Sequence, residues 1–241
     1  MRAAVLERFG ESPTVTEIES PVPDTGQVLV RIVASGVNPL DTKIRAGEAG
    51  HARLRLPAVL GMDLAGVVEE VGADVTGFAP GDPVYGLTGG VGELQGSLAE
   101  YAAVDARLLG PAPAFLDLRE AAALPLAVIT AWEALVDRAQ VRFGQTVLVH
   151  GGGGGVGQMA VQIARAHGAH VFATGSARSL DTIARLGATP IDYTTAVEDY
   201  LAEHTGGEGF DVVFDTVGGA VLDASFAAPR TYTGHVVSAL G

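Results

Sequence analysis

Val147-Leu148-Val149-His150-Gly151-Gly152-Gly153-Gly154-Gly155-Val156-Gly157 passes from an apolar run straight into five glycines. Beyond it, apolar residues at Val156, Ala160, Ile163 and Ala164 recur at helical spacing. The stretch predicts a buried strand over 146–150, a glycine loop, and a helix over 156–167. Both Gly152-x-Gly154-x-x-Gly157 and Gly151-x-x-Gly154-x-x-Gly157 can be read from it. A pyrophosphate approaching the N–H groups of a helix N-terminus tolerates no Cβ in its way, which is the physical reason for glycine there. Gly157 would let the helix lie close to the strand. A flexible glycine-rich loop without a ligand is the alternative. The strand, the helix and the repeating pattern that follows favour nucleotide binding.

Towards the C-terminus the pattern repeats. Strands are expected at 170–174, 189–191, 211–215 and 234–239, alternating with helices at 180–186, 197–204 and 221–226. Such alternation implies a parallel, doubly wound sheet. The sequence ends after the fifth strand, whereas a six-stranded dinucleotide fold needs one more βα unit. A chain truncated in its C-terminal part is therefore expected. The second strand runs into Gly175-Ser176-Ala177-Arg178-Ser179, with no carboxylate before Asp181. NAD sites usually carry Asp or Glu at that strand end for the ribose 2′-hydroxyl. Small, hydroxyl-bearing residues beside an arginine suit a 2′-phosphate instead, since a guanidinium grips phosphate in a forked manner. NADPH is the expected cofactor. An ordinary helix start with a solvated Arg178 is the other reading of these residues.

Towards the N-terminus the texture changes. From Met1 to about Val104, short β-like runs (27–34, 65–71, 98–104) alternate with turns such as Pro23-Asp24-Thr25-Gly26 and Pro80-Gly81-Asp82-Pro83. That is the texture of a small barrel or sandwich. From about Phe115 helices take over, beginning with the capping box Asp117-Leu118-Arg119-Glu120. Two domains are expected, 1–115 and 116–241.

Composition narrows the function classes. The formal charge is −13, and no basic stripe offsets it. Nucleic acid and an anionic membrane surface are disfavoured as partners. With no cysteine there is no disulfide, no thiolate nucleophile and no thiolate zinc ligand. His167 and His170 lie close in sequence, but at a helix end and a strand start they cap the helix or face solvent rather than bind metal. The longest apolar stretch, 121–132, contains Pro125 and is too short to span a bilayer. No signal peptide is visible, and a cytoplasmic protein is expected.

Several separate motifs resemble the zinc-independent, quinone oxidoreductase-like group of the medium-chain dehydrogenase/reductase superfamily. They are Asn38-Pro39-Leu40-Asp41-Thr42-Lys43-Ile44-Arg45-Ala46-Gly47, the run 56–72 containing Gly61-Met62-Asp63 and Gly66, Gly81-Asp82-Pro83-Val84-Tyr85-Gly86, Gly96 to Tyr101, 122–132, the glycine loop, and Leu186-Gly187-Ala188. The resemblance implies a GroES-like β-barrel catalytic domain followed by a Rossmann NADP(H)-binding domain. It implies hydride transfer from NADPH to a quinone or α,β-unsaturated carbonyl, and a homodimer at full length. Zinc-dependent members place Cys where this sequence has Asn38, and His where it has Met62.

The family pattern also implies roles. Asn38 would lie near the nicotinamide and ribose, and Thr130 on the nicotinamide side. Gly154, Gly155 and Val156 would cradle the pyrophosphate. Gly175, Ser176 and Arg178 would surround the 2′-phosphate. Tyr193 would flank the adenine phosphate, and Val217 and Leu240 would line the adenosine and nicotinamide. Relatives commonly carry Lys at the Ser179 position, leaving Arg178 to substitute. Some carry Tyr where this sequence has Lys43. Asn38 or a ribose hydroxyl could donate to the substrate oxygen, and water could supply the proton. Lys43 could stabilise the oxyanion, or be a solvent-facing charge. Asp41 is a cap or a base. The loop 87–96 would line the substrate mouth. Two other functions remain open: NADPH binding without catalysis, and zinc-independent reduction of simple carbonyls.

Overall fold

The computed structural model describes residues 1–239 and divides them into two compact units, the first ending at Leu126. The boundary lies beyond the expected residue 115, for reasons given below.

The first unit contains β1 (Arg2–Leu6), β2 (Thr14–Glu17), β3 (Gln27–Ser35), α1 (Pro39–Ala46), β4 (Ala58–Val59), β5 (Asp63–Val71), β6 (Pro83–Leu87), β7 (Tyr101–Asp105), β8 (Leu109–Pro111) and α2 (Leu118–Ala121). Its strands form two antiparallel sheets, ordered β7-β3-β5-β6-β8 and β2-β1-β4. Alternation builds the core. Val28 and Val30 of β3 point inward with Leu64 and Val68 of β5, Val84 of β6, and Ala102 and Val104 of β7. The capping box forms as expected: Asp117 accepts from the Glu120 N–H at 2.8 Å, and Glu120 accepts from the Asp117 N–H at 3.1 Å. α2 then lays Ala121 and Ala122 on Ala65 of β5. That packing holds residues 116–126 to the first unit, although their helical texture assigned them to the second.

The second unit begins within α3 (Pro125–Trp132), which continues as a π-helical segment (Glu133–Arg138). It holds β9 (Thr146–His150), α4 (Gly155–Ala166), β10 (His170–Gly175), α5 (Leu180–Arg185), β11 (Thr189–Asp192), α6 (Val197–Thr205), β12 (Val212–Asp215), α7 (Ala220–Ser225) and β13 (His235–Ser238). Each lies within two residues of its expected position. The sheet is parallel, ordered β11-β10-β9-β12-β13. β9 is central, and both its faces are covered. Val147 and Val149 face a core shared with Val161 and Ala164 of α4, while Leu148 faces Tyr200 of α6, Phe210 and Val213. Complete burial of such a side chain contributes roughly 1.5–3 kcal/mol, which explains the uninterrupted apolar run. On α4 the buried stripe is Gly157, Ala160, Val161 and Ala164. Val156 and Ile163, expected on that face, pack at its margin. The helix ends where His167 Nδ1 donates to the Ile163 carbonyl at 2.9 Å and Gly168 turns at φ +79°. Capping is thus the role of His167, while His170 is exposed.

Candidate functional site

In the parallel sheet the strand order reverses beside β9, and β9 runs into the glycine loop. Ligands of open α/β sheets bind at such a switch point, outside the carboxyl ends of the strands. The glycines there do different jobs. A Cβ on Gly157 would lie 2.1 Å from the Gly151 carbonyl oxygen, so only glycine lets α4 start this close to the loop. Around Gly154 and Gly155 the space is open. A Cβ on Gly154 would meet only the Gly151 oxygen at 3.4 Å, and one on Gly155 nothing within 4 Å. Gly154 is the N-cap of α4 and Gly155 its first residue. The open space therefore lies over unpaired first-turn N–H groups and the positive end of the helix dipole. Those donors and that space fit a pyrophosphate, with Val156 next in the first turn.

Gly175 is buried at the end of β10. A Cβ there would meet Ser179 Oγ at 2.5 Å and Ile183 Cδ1 at 2.6 Å, so this glycine serves the packing of α5. Beyond it Ser176 and Arg178 are exposed, and the Ser179 hydroxyl donates to the Ser176 carbonyl at 2.9 Å. That bond holds the turn that presents them. The N–H of Tyr193 donates to the Gly175 carbonyl at 3.0 Å, and its side chain is exposed beside the same strand end. Val217 is half-exposed after β12, where Asp215 accepts its N–H at 3.1 Å and that of Gly218 at 3.0 Å. Thr130, on α3, is partly buried. Leu240 lies outside the described residues.

The sequence reading missed a buried polar cluster at the strand ends. His150 is 4% exposed, with Nδ1 3.2 Å from the Thr174 hydroxyl and no hydrogen-bond partner at Nε2 among the described residues. The Thr216 hydroxyl donates to the His150 carbonyl at 2.7 Å. Burial holds the His150 imidazole below its ordinary pKa, against the opposing pull of Asp215, itself wholly buried. The available signal was a polar residue closing each apolar strand: His150, Thr174 and Asp215.

In the first unit α1 carries both expected catalytic residues. Asn38 is its N-cap. Its backbone N–H donates to Asp41 Oδ2 at 2.7 Å, and its carboxamide Nδ2 donates to Asp63 Oδ2 at 2.8 Å. Asp41 is therefore a cap. The second oxygen of Asp63 accepts the Leu126 N–H at 2.9 Å. Both carboxylates are pulled from water, which raises their pKa values, and the charge of Asp41 raises that of Asp63 further. Lys43 is exposed and in no ion pair among the described residues. Met62 is buried among Leu6, Ile44 and Leu60. Among the described residues no three His, Asp or Glu side chains are grouped to hold a metal ion. No helix among them is long and apolar enough to cross a membrane.

Comparison with known proteins follows the same division. Residues 24–114 match the family described as alcohol dehydrogenase GroES-like domain, and residues 155–239 the one described as zinc-binding dehydrogenase. The chain is 43% identical over 235 residues to 2-methylene-furan-3-one reductase of Solanum lycopersicum, covering 90% of this chain and 57% of that protein. It is 35% identical over 230 residues to quinone oxidoreductase of Pongo abelii, covering 92% and 68%. An alcohol dehydrogenase superfamily protein from Novosphingobium aromaticivorans superposes with a TM-score of 0.98 at 61% identity, over all of this chain and 73% of that one. The chain thus spans between about half and three quarters of these relatives.

Proposed function

The chain belongs to the medium-chain dehydrogenase/reductase superfamily, and from that premise we propose that it serves an NADPH-dependent, zinc-independent reductase of quinones or α,β-unsaturated carbonyls. The observation that carries this reading is the open space over Gly154 and Gly155 at the N-terminus of α4, at the switch point of a parallel sheet. The pyrophosphate would be held there by backbone N–H groups. Ser176 and Arg178 would meet the 2′-phosphate, and Tyr193 and Val217 would flank the adenosine. When bound, the reduced nicotinamide supplies a hydride.

What remains for the chain is orientation and charge. Reduction of a conjugated carbonyl places negative charge on the substrate oxygen, and a proton from water completes the product. Neither a carboxamide at 38 nor a thioether at 62, buried among aliphatic side chains, suits zinc. Polarising the oxygen therefore falls to hydrogen-bond donors. Asn38 retains one carboxamide hydrogen beyond the one given to Asp63, and the exposed Lys43 ammonium is a second donor. The relatives named as a 2-methylene-furan-3-one reductase and a quinone oxidoreductase support this substrate class.

The test is NADPH oxidation by the protein carrying this chain, with a small quinone or enone, a chelator present, and NADH as the parallel arm. Chelator-resistant turnover preferring NADPH is expected, with C=C or quinone reduction in the product. Reduction at a simple C=O would move the assignment to a carbonyl reductase. Tight NADPH binding without turnover on any such substrate would leave a binding protein.

A further inference from the structure

Asp63 opens β5 at the edge of an apolar strand and is 1% exposed. A carboxylate so buried is costly unless its oxygens are paired. Here each oxygen is used: Oδ2 accepts from the Asn38 carboxamide and Oδ1 from the Leu126 N–H. The surrounding chain leaves room for this. A Cβ on Gly36 would lie 2.8 Å from Asp63 Oδ2, the oxygen that receives Asn38, and 2.6 Å from the Ala122 carbonyl oxygen. The other end of Asn38 is fixed as well, since Asp41 takes its backbone N–H.

An ionised carboxylate only accepts hydrogen bonds. It therefore decides which way the amide faces. With Nδ2 towards Asp63 the contact is attractive; the flipped amide would set Oδ1 against Oδ2, two acceptors with no hydrogen between them. We propose that Asp63 is a positioning residue that locks the Asn38 carboxamide in one orientation and so offers its second N–H as the donor to the substrate oxygen. The inference rests on the reductase reading above and names the part Asp63 plays in it. A carboxylate serving only to cap the first turn of α3 through Leu126 would have no such effect on Asn38.

Asn38 is the one asparagine of this sequence, and in protein labelled with 15N-asparagine its carboxamide signal is the one lost in Asn38→Ala. In the unmutated protein its two hydrogens should be distinct, one of them protected from solvent exchange. This readout needs no turnover. In Asp63→Asn, which adds a second carboxamide, the Asn38 pair is the one missing from the double variant with Asn38→Ala, and its distinction should shrink. In kinetics, Asp63→Asn and Asn38→Ala should each lower kcat about 10- to 100-fold with little change in KM, as a misplaced donor would. The double variant should be no worse than Asn38→Ala alone, because Asp63 acts through Asn38. Losses that add in the double variant, or carboxamide hydrogens unchanged by Asp63→Asn, would overturn the inference and leave the reductase reading standing. No turnover by the unmutated protein with any quinone or enone, while it binds NADPH, would overturn the reductase reading and the catalytic half of this one.

Discussion

Gly157 faces the carbonyl oxygen of Gly151 so closely that a Cβ added to it would lie 2.1 Å from that atom, whereas Gly155, two residues earlier on the same helix, faces open space. The loop therefore contains glycines demanded by the fold and glycines left free for a ligand, and substitution tells them apart. Gly157→Ala should destabilise the protein by about 1–3 kcal/mol through overpacking. Gly155→Ala should leave stability unchanged or raise it by up to about 1 kcal/mol, since alanine is the better helix former. It should nevertheless weaken NADPH binding tenfold or more. Melting curves beside a fluorescence titration with NADPH would check both, and undiminished binding by Gly155→Ala would remove the pyrophosphate from this loop.

Arg178 is exposed beyond β10 with Ser176 beside it. Hydrogen bonds to a charged group contribute about 1.5–3 kcal/mol. Arg178→Ala should accordingly lower NADPH affinity by about one to two orders of magnitude and leave NADH affinity nearly unchanged. Equal losses for both nucleotides would mean that the guanidinium does not read the 2′-phosphate.

His150 ties stability to pH. Its folded pKa is depressed by burial, so the native state resists protonation while the unfolded chain takes up a proton near the ordinary value of about 6.5. Stability should fall as pH drops from about 6.5 towards the folded pKa, by at most about 1.4 kcal/mol per pH unit. Asp41 and Asp63 act in the opposite sense. Their folded pKa values are raised, so stability increases as pH falls through those values towards the ordinary one near 3.8. Comparing melting temperatures of the unmutated protein and His150→Asn from pH 7.5 to 5.5 isolates the histidine. The variant should lose less on acidification, and parallel curves would refute the assignment.

Gly36 gives Asp63 its space, since a Cβ there would lie 2.8 Å from Asp63 Oδ2. Gly36→Ala should displace the Asp63 carboxylate or the chain at Ala122 and cost about 1–3 kcal/mol of stability. kcat should fall by at least tenfold under conditions where the variant remains folded. A folded Gly36→Ala enzyme with full kcat would show that the placement of Asp63 does not limit turnover.

Much of the second unit was legible in the sequence because its central strands β9 and β12 are buried on both faces and each helix on one. The apolar runs at 147–149 and 212–214 and the stripe along α4 are direct consequences of that burial. The exposed tips at Ser176 and Arg178 were legible too, since local loop chemistry places them. The boundary after Leu126 was harder to read, because 116–126 is helical by its own propensity but packs on β3, β5 and β6. Asp41 and the cap it forms could be weighed from spacing alone. Lys43 could not be decided from spacing: its exposure depends on which face of α1 the rest of the unit covers.

Sequence by itself determined the periodicities, hence the alternation of β and α, and the glycines that let a loop meet a helix N-terminus. Those are local consequences of backbone freedom and side-chain burial. Only the tertiary structure decided which polar groups share a partner. Asn38 and Asp63 are 2.8 Å apart across 25 positions of sequence, and His150 meets Thr174 across 24. Such pairings are set by strand order and by the space that small residues leave, and neither is encoded in the spacing of the residues that finally touch.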